Sequence, residues 1–200
     1  MIKTIIFDLG GVYFTNGSKM AVDEIAKSFS VPKELVDSVI HGKIGTLYRE
    51  GKITEKEFWQ KGQSVWGLSK DSQLLSKIWL KQYKPNSGTV KLIKKLNHNG
   101  YELLYLSDNV QERVDYLENK YPFQKNFKDG VFSHKAKVRK PNPQIYRLVL
   151  QKTKSKPREI VFIDDKENFL FPAKKLGINI ILFDNPEQLR RDLKILGVKI

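Results

Sequence analysis

Ile2-Lys3-Thr4-Ile5-Ile6-Phe7-Asp8-Leu9-Gly10-Gly11-Val12 is the stretch on which the fold turns. The apolar run over 2–7 is too short for a helix and has the composition of a strand buried on both faces. Asp8 stops the run, and Gly10-Gly11 forces a turn just after it. A carboxylate at the end of a buried strand is rigidly placed, as a nucleophile must be. Glycines beside it let the backbone approach a ligand or metal ion closely. The pattern is not a dinucleotide fingerprint, because the chain lacks G-x-G-x-x-G. Taken alone, Asp8 also suits a turn-capping aspartate.

Outward from this stretch, the grammar of the chain changes twice. Residues 15–84 read as helices. Met20, Ile25, Ala26 and Phe29 fit one helix face, and Pro32 precedes Leu35, Val36 and Val39. Thr54-Glu55-Lys56-Glu57 is a capping-box pattern, with Phe58, Trp59, Val65 and Trp66 behind it. Ser69 suits the cap of a further helix carrying Leu74, Leu75, Ile78 and Trp79. Pro85-Asn86-Ser87-Gly88 punctuates the chain. After it, strands are expected at 101–106, 130–133, 159–163 and 178–183. Helices are expected at 90–96, 110–121, 144–152, 173–176 and 187–196. Strands separated by helices imply an α/β fold with a doubly wound parallel sheet. The expected organisation is a core of residues 1–14 and 85–200, with 15–84 inserted as a small helical domain.

Ligands bind such sheets beyond the carboxyl ends of the strands, and three polar clusters stand there. Asp8 is the first. Ser107-Asp108-Asn109 is the second: a hydroxyl, an amide and backbone N–H groups at a helix start can hold a phosphate, or simply cap the helix. Asp164-Asp165 is the third: adjacent carboxylates invite a hard divalent cation, or Asp165 caps a helix with Asp164 exposed. Between them, Arg139-Lys140-Pro141-Asn142-Pro143 places a lysine ahead of a helix, able to neutralise a phosphoryl group or to lie in solvent.

The order Asp, Ser, Lys-Pro, Asp-Asp, each at an element end, resembles the four motifs of the haloacid dehalogenase superfamily. Phe7-Asp8-Leu9-Gly10-Gly11-Val12 and Lys140-Pro141-Asn142-Pro143-Gln144-Ile145-Tyr146 resemble the subgroup with bacterial sugar-phosphate phosphatases and the phosphatase domain of soluble epoxide hydrolases. The helical insert, with Gly51-Lys52-Ile53-Thr54 and Glu57-Phe58-Trp59, is similar to the family's small helical cap. The resemblance implies a Rossmann-like core and a phosphohydrolase of a small phosphorylated metabolite. Asp8 would attack phosphorus and carry an aspartyl phosphate. Mg²⁺ would be held by Asp8, the Gly10 carbonyl and Asp165, with Asp164 beside them. Ser107 and Asn109 would contact the phosphoryl group, and Lys140 would stabilise its charge. Two positions depart from the pattern. Gly10 stands where most family phosphatases carry an acid–base aspartate, and Phe169 where Asp or Asn usually supports the metal site. A catalytically weak relative that binds phosphate or a partner is therefore the alternative. A 2-haloacid dehalogenase fits less well, since the Asp164-Asp165 pair favours a metal.

Bulk composition agrees with a soluble globular protein: 200 residues, 40% hydrophobic, 29% charged. Without cysteine, disulfides and thiolate metal sites are excluded, and His41, His98 and His134 are too scattered for a histidine site. The net charge of +14 admits a nucleic-acid partner. The lysines, however, are spread along the polar faces of the expected helices, which disfavours nucleic acid and suits attraction of phosphorylated metabolites. No apolar run is long enough to span a bilayer, and Asp8 interrupts the first one too early for a signal peptide, so the expected location is cytoplasmic.

Overall fold

A computed structural model describes residues 1–69 and 72–200. Five strands make one parallel sheet: β1 (Thr4–Phe7), β2 (Glu102–Ser107), β3 (Asp129–Phe132), β4 (Ile160–Asp164) and β5 (Asn179–Leu182). Their spatial order is β3-β2-β1-β4-β5, with β1 in the centre. Helices α1 (Gly17–Phe29), α2 (Lys33–Ile40), α3 (Lys43–Arg49), α4 (Glu55–Trp66) and α5 (Ser72–Lys81) follow β1, and α6 (Ser87–His98) leads into β2. Helix α7 (Gln111–Lys120) precedes β3, while α8 (Ser133–Ala136) and α9 (Pro143–Leu150) precede β4. Helix α10 (Glu167–Lys175) separates β4 from β5, and α11 (Pro186–Ile195) follows it.

The alternation of a pleated strand sorts side chains to two faces. Ile5, Phe7, Leu103, Tyr105, Val161 and Ile163 join one buried cluster, whereas Ile6, Leu104, Leu106 and Phe162 join the other. Both faces are covered, which is why these strands read as continuous apolar runs. The first cluster runs on into Phe58, Trp59 and Trp79 of the 15–84 helices. The two segments that enter and leave those helices lie side by side: Thr15 N donates to Lys84 O at 2.9 Å, and Asn86 N to Tyr13 O at 2.7 Å.

Local signals were mostly where the sequence put them. Thr54 and Glu57 form the capping box reciprocally. Met20 and Leu35, grouped above with apolar faces, are instead 43% and 42% exposed; neighbours at helical spacing took the core positions. Helix α10 begins six residues before the expected 173, running through Pro172 in its interior. Ser69 precedes α5, but Lys70 and Asp71, between it and the helix, lie outside the described residues, and with them the expected cap. No described helix is long and apolar enough to cross a membrane.

Candidate active site

The chain passes from β1 outward through β2 to β3, then returns to the far side of β1 for β4 and β5. Such a reversal opens a crevice beyond the carboxyl ends of the central strands. Register then decides what lines it. Phe7 pairs with Ile163 on one side and Tyr105 on the other. Asp8 and Asp164 therefore leave the sheet at the same level on adjacent strands, and Asp8 N donates to Ile163 O at 2.8 Å. Ser107, two residues past the level of Phe7 on β2, borders the same crevice. The cleft has a volume of about 440 Å³ and is also lined by Gly10, Asn109 and Lys140.

Lys140 is the centre of the charge arrangement. Its ammonium is buried, 2.8 Å from Asp8 Oδ1 and 2.5 Å from Asp164 Oδ2. Asp108 holds the loop that carries it, accepting from Lys140 N at 3.0 Å and from Arg139 Nε at 2.9 Å. The Phe169 ring lies 5.0 Å from Lys140 Nζ. The departure at 169 thus puts an aromatic face beside the lysine where the family resemblance implies Asp or Asn, and cations favour such faces. Neither Lys140 nor Asp164 lies in solvent; Asp164 ends β4, fully buried, because its oxygens are taken by Lys140 and, at 2.9 Å, by Lys166 N.

Asp165 differs from Asp164. Asn16 Nδ2 donates to its Oδ2 at 3.2 Å, while its Oδ1 is buried with no hydrogen-bond partner. Gly11 makes room for it: at φ +100°, a Cβ there would stand 2.4 Å from Asp165 Oδ2. Gly10 is unlike its neighbour, since a Cβ there would meet nothing within 4 Å. Asp8, Asp164 and Asp165 can each present an oxygen within 4.8 Å of the others.

Asp8 and Asp164 share the Lys140 ammonium, and Asp165 lies beside them, so carboxyl groups outnumber the paired cation. The cost appears on Asp8, pushed up to about 8. Burial is the main cause, and the charges of Asp164 and Asp165 add to it against the pull of Lys140. Asp164 is raised too, chiefly by burial. Burial opposes the Lys140 charge, yet Asp164 and Asp8 more than offset it, so lysine stays charged above its ordinary range. The donor set, hard oxygens with a buried orphan among them and more carboxyl groups than cations, fits Mg²⁺.

The structure thus gathers Asp8, Gly10, Ser107, Asn109, Lys140, Asp164 and Asp165 at one end of the sheet. Asn109 is partly diverted: its Oδ1 accepts from Val110 N at 3.0 Å and Arg113 Nε at 2.7 Å. Sequence reasoning missed Asn16, Arg49 and Arg113, and took Asp108 only for a cap. Asp108, inside a motif already singled out, was the one with a visible signal.

A model of the haloacid dehalogenase-like hydrolases matches residues 2–177. The chain belongs to that family. Among relatives of this hydrolase, the bifunctional epoxide hydrolase 2 of Sus scrofa is 29% identical over 60% of this chain, which spans only 23% of that protein. The chloroplast flavin mononucleotide hydrolase 1 of Arabidopsis thaliana is 23% identical, over 88% of this chain and 71% of its own. In fold, the chain is similar to a HAD-family enzyme of Bacteroides thetaiotaomicron solved with magnesium and inorganic phosphate. That match has a TM-score of 0.75, with 22% identity over 92% of this chain and 96% of the other.

Proposed function

We propose that this hydrolase is a Mg²⁺-dependent phosphatase of a small phosphorylated metabolite, with sugar phosphates as one class, and that residues 15–84 are its cap. The observation that carries the proposal is the cluster of Asp8, Asp164 and Asp165, of which the first two share Lys140 while Asp165 Oδ1 is buried and unpartnered. Asp8, Asp165 and the Gly10 carbonyl would hold the ion, with Asp164 beside them turned to Lys140. When bound, Mg²⁺ supplies the missing charge and Lewis acidity toward phosphoryl oxygens. The metal-bound and phosphate-bound relative and the flavin mononucleotide hydrolase support this assignment.

The chain's own residues divide the chemistry as follows. A carboxylate oxygen of Asp8 attacks phosphorus, the bond to the leaving oxygen breaks, and Asp8 carries an aspartyl phosphate. Ser107 donates to a phosphoryl oxygen. Lys140 neutralises charge on nucleophile and phosphoryl group, held in place by Asp164 and by the Asp108 clip. Water then attacks phosphorus, returning the Asp8 carboxylate and inorganic phosphate. Positioning and charge neutralisation dominate phosphoryl transfer, and both are built here. Gly10 offers the leaving oxygen no proton, so good leaving groups should react best.

That missing acid favours a second reading, a weak relative that binds phosphate without turning it over. Mg²⁺-dependent phosphate release from p-nitrophenyl phosphate and a panel of phosphorylated metabolites separates the two. Turnover lost on chelation and restored by Mg²⁺ supports the phosphatase. Phosphate binding without turnover supports the second reading, and absence of both contradicts each.

A further inference from the structure

Two buried arginines take no part in the chemistry assigned to Asp8, Ser107 and Lys140. Arg49 ends α3 and Arg113 lies on α7; they are 5% and 2% exposed, and both border the cleft that holds Asp8. Among the described residues neither is ion-paired with a carboxylate. A buried charge without a counter-charge is costly, and natural sites compensate it.

Hydrogen bonding shows the same imbalance. Ser18 Oγ lies 3.2 Å from Arg49 Nη2, 3.3 Å from Arg113 Nη1, 3.2 Å from Trp79 Nε1 and 2.6 Å from Tyr83 Oη. A hydroxyl oxygen has two acceptor sites, so Ser18 cannot accept from all three N–H groups at once, although Tyr83 Oη and Asn109 Oδ1 also accept from Arg113. Arg113 Nη2 is buried and has no partner at all. Aromatic faces fix the two cations: Trp79 lies 5.7 Å from the Arg49 guanidinium and 4.6 Å from that of Arg113, and Tyr83 lies 4.7 Å from the latter. Stacking of this kind orients the plane of a guanidinium and leaves its N–H edge for an oxyanion. Arg49 Nη1 donates to the carbonyls of Ile40 at 2.6 Å and Gly45 at 3.2 Å. Burial, and then the charge of Arg113, pull Arg49 down to about 10 against the smaller opposing influence of Tyr83 and Asp108, so it remains charged at neutral pH without a carboxylate bound to it.

We infer that Arg49 and Arg113 bind a second oxyanion of the substrate, a phosphate or carboxylate remote from the phosphoryl group attacked by Asp8. The substrate class is then a small phosphate ester with an anionic second end, in preference to one with a neutral tail. A cleft of about 440 Å³ accommodates a metabolite of that size. The inference rests on the phosphatase assignment, since it places the first phosphoryl group at Asp8. The competing role is structural, a tie among α1, α3 and α7 through Ser18 that needs no ligand.

The test is calorimetric titration of the Mg²⁺-loaded wild-type protein with three non-hydrolysable probes of equal chain length: propylphosphonate, phosphonopropionate and propanediphosphonate. The doubly anionic probes should bind about 10–150-fold more tightly than propylphosphonate, the range of a charge-assisted hydrogen bond. Whichever of the two binds better identifies carboxylate or phosphate as the natural second end. Arg113→Met should remove most of the preference and Arg113→Lys should keep part of it. Equal affinity for all three probes, in a protein that hydrolyses p-nitrophenyl phosphate, overturns this inference and leaves the phosphatase standing. No Mg²⁺-dependent phosphonate binding and no hydrolysis overturns both. Lys19, Lys33, Arg139 and Lys166 line the same cleft, so a preference that is undiminished in folded Arg113→Met also overturns the inference; Arg113→Lys, which keeps the charge, serves where the methionine variant fails to fold.

Discussion

Gly10→Asp tests the missing acid directly. The structure leaves the position open: a Cβ meets nothing within 4 Å, and φ at Gly10 lies outside the range where side chains are strained. The new carboxylate would join Asp8 and Asp164, which already share one ammonium, and Asp165 beside them. A like charge about 6 Å away costs about 3 kcal/mol at an effective dielectric of about 20. That repulsion weakens the new group as an acid and moves its titration up towards neutrality, where a general acid works best. Fold stability should fall modestly, whereas protonation of the leaving oxygen is typically worth about 10²–10⁴-fold. The assay compares kcat/KM for an alkyl phosphate and for p-nitrophenyl phosphate at saturating Mg²⁺. Alkyl phosphate turnover should rise at least about tenfold, with little change for the aryl ester, whose leaving group needs no proton. Unchanged alkyl rates in a folded variant would refute the reasoning, because another group would then already supply the proton.

Gly11→Ala should behave oppositely to Gly10→Ala. A Cβ at Gly11 meets Asp165 Oδ2 at 2.4 Å on a left-handed backbone, so thermal melts should show a loss of at least about 1–2 kcal/mol and no stabilisation by Mg²⁺, with Gly10→Ala nearly neutral. Lys140→Met strips Asp8 and Asp164 of their shared buried partner; metal-free denaturant melts should show a loss of about 3–5 kcal/mol, and an unchanged midpoint would contradict the pairing. For pH, the sign follows from Asp8, raised from 3.8 to about 8. The metal-free folded state keeps a proton that the unfolded chain releases, so its stability should fall as pH climbs from about 4 to about 8. Mg²⁺ must expel that proton, so affinity measured by titration should tighten across the upper part of this window, by at most about tenfold per pH unit; a flat profile would place the cation elsewhere.

The fold was legible because each central strand is a run of apolar residues stopped by a polar cluster, as at Phe7-Asp8 and Ile163-Asp164. Burial on both faces of a parallel sheet writes that pattern locally. What those polar ends do to one another is not local. Asp164 could be read as exposed, because nothing beside it announces that Lys140, 24 residues earlier, reaches its oxygen. Arg49 and Arg113 look like ordinary polar positions of short helices. Their burial is decided by Trp79, Tyr83 and Ser18, distant in sequence. Met20 and Leu35 fail the other way, as apolar side chains at helical spacing that the packing left outside.

In the proposed reaction everything turns on Asp8 carrying the phosphoryl group. Acid quench of the Mg²⁺-loaded enzyme during turnover of p-nitrophenyl phosphate, followed by peptide mass spectrometry, tests it most directly, with Asp8→Asn as the paired control. The wild type should carry a phosphoryl adduct on Asp8, and folded Asp8→Asn should show neither adduct nor turnover. Turnover that survives in clean Asp8→Asn, or an adduct on any other residue, would contradict it.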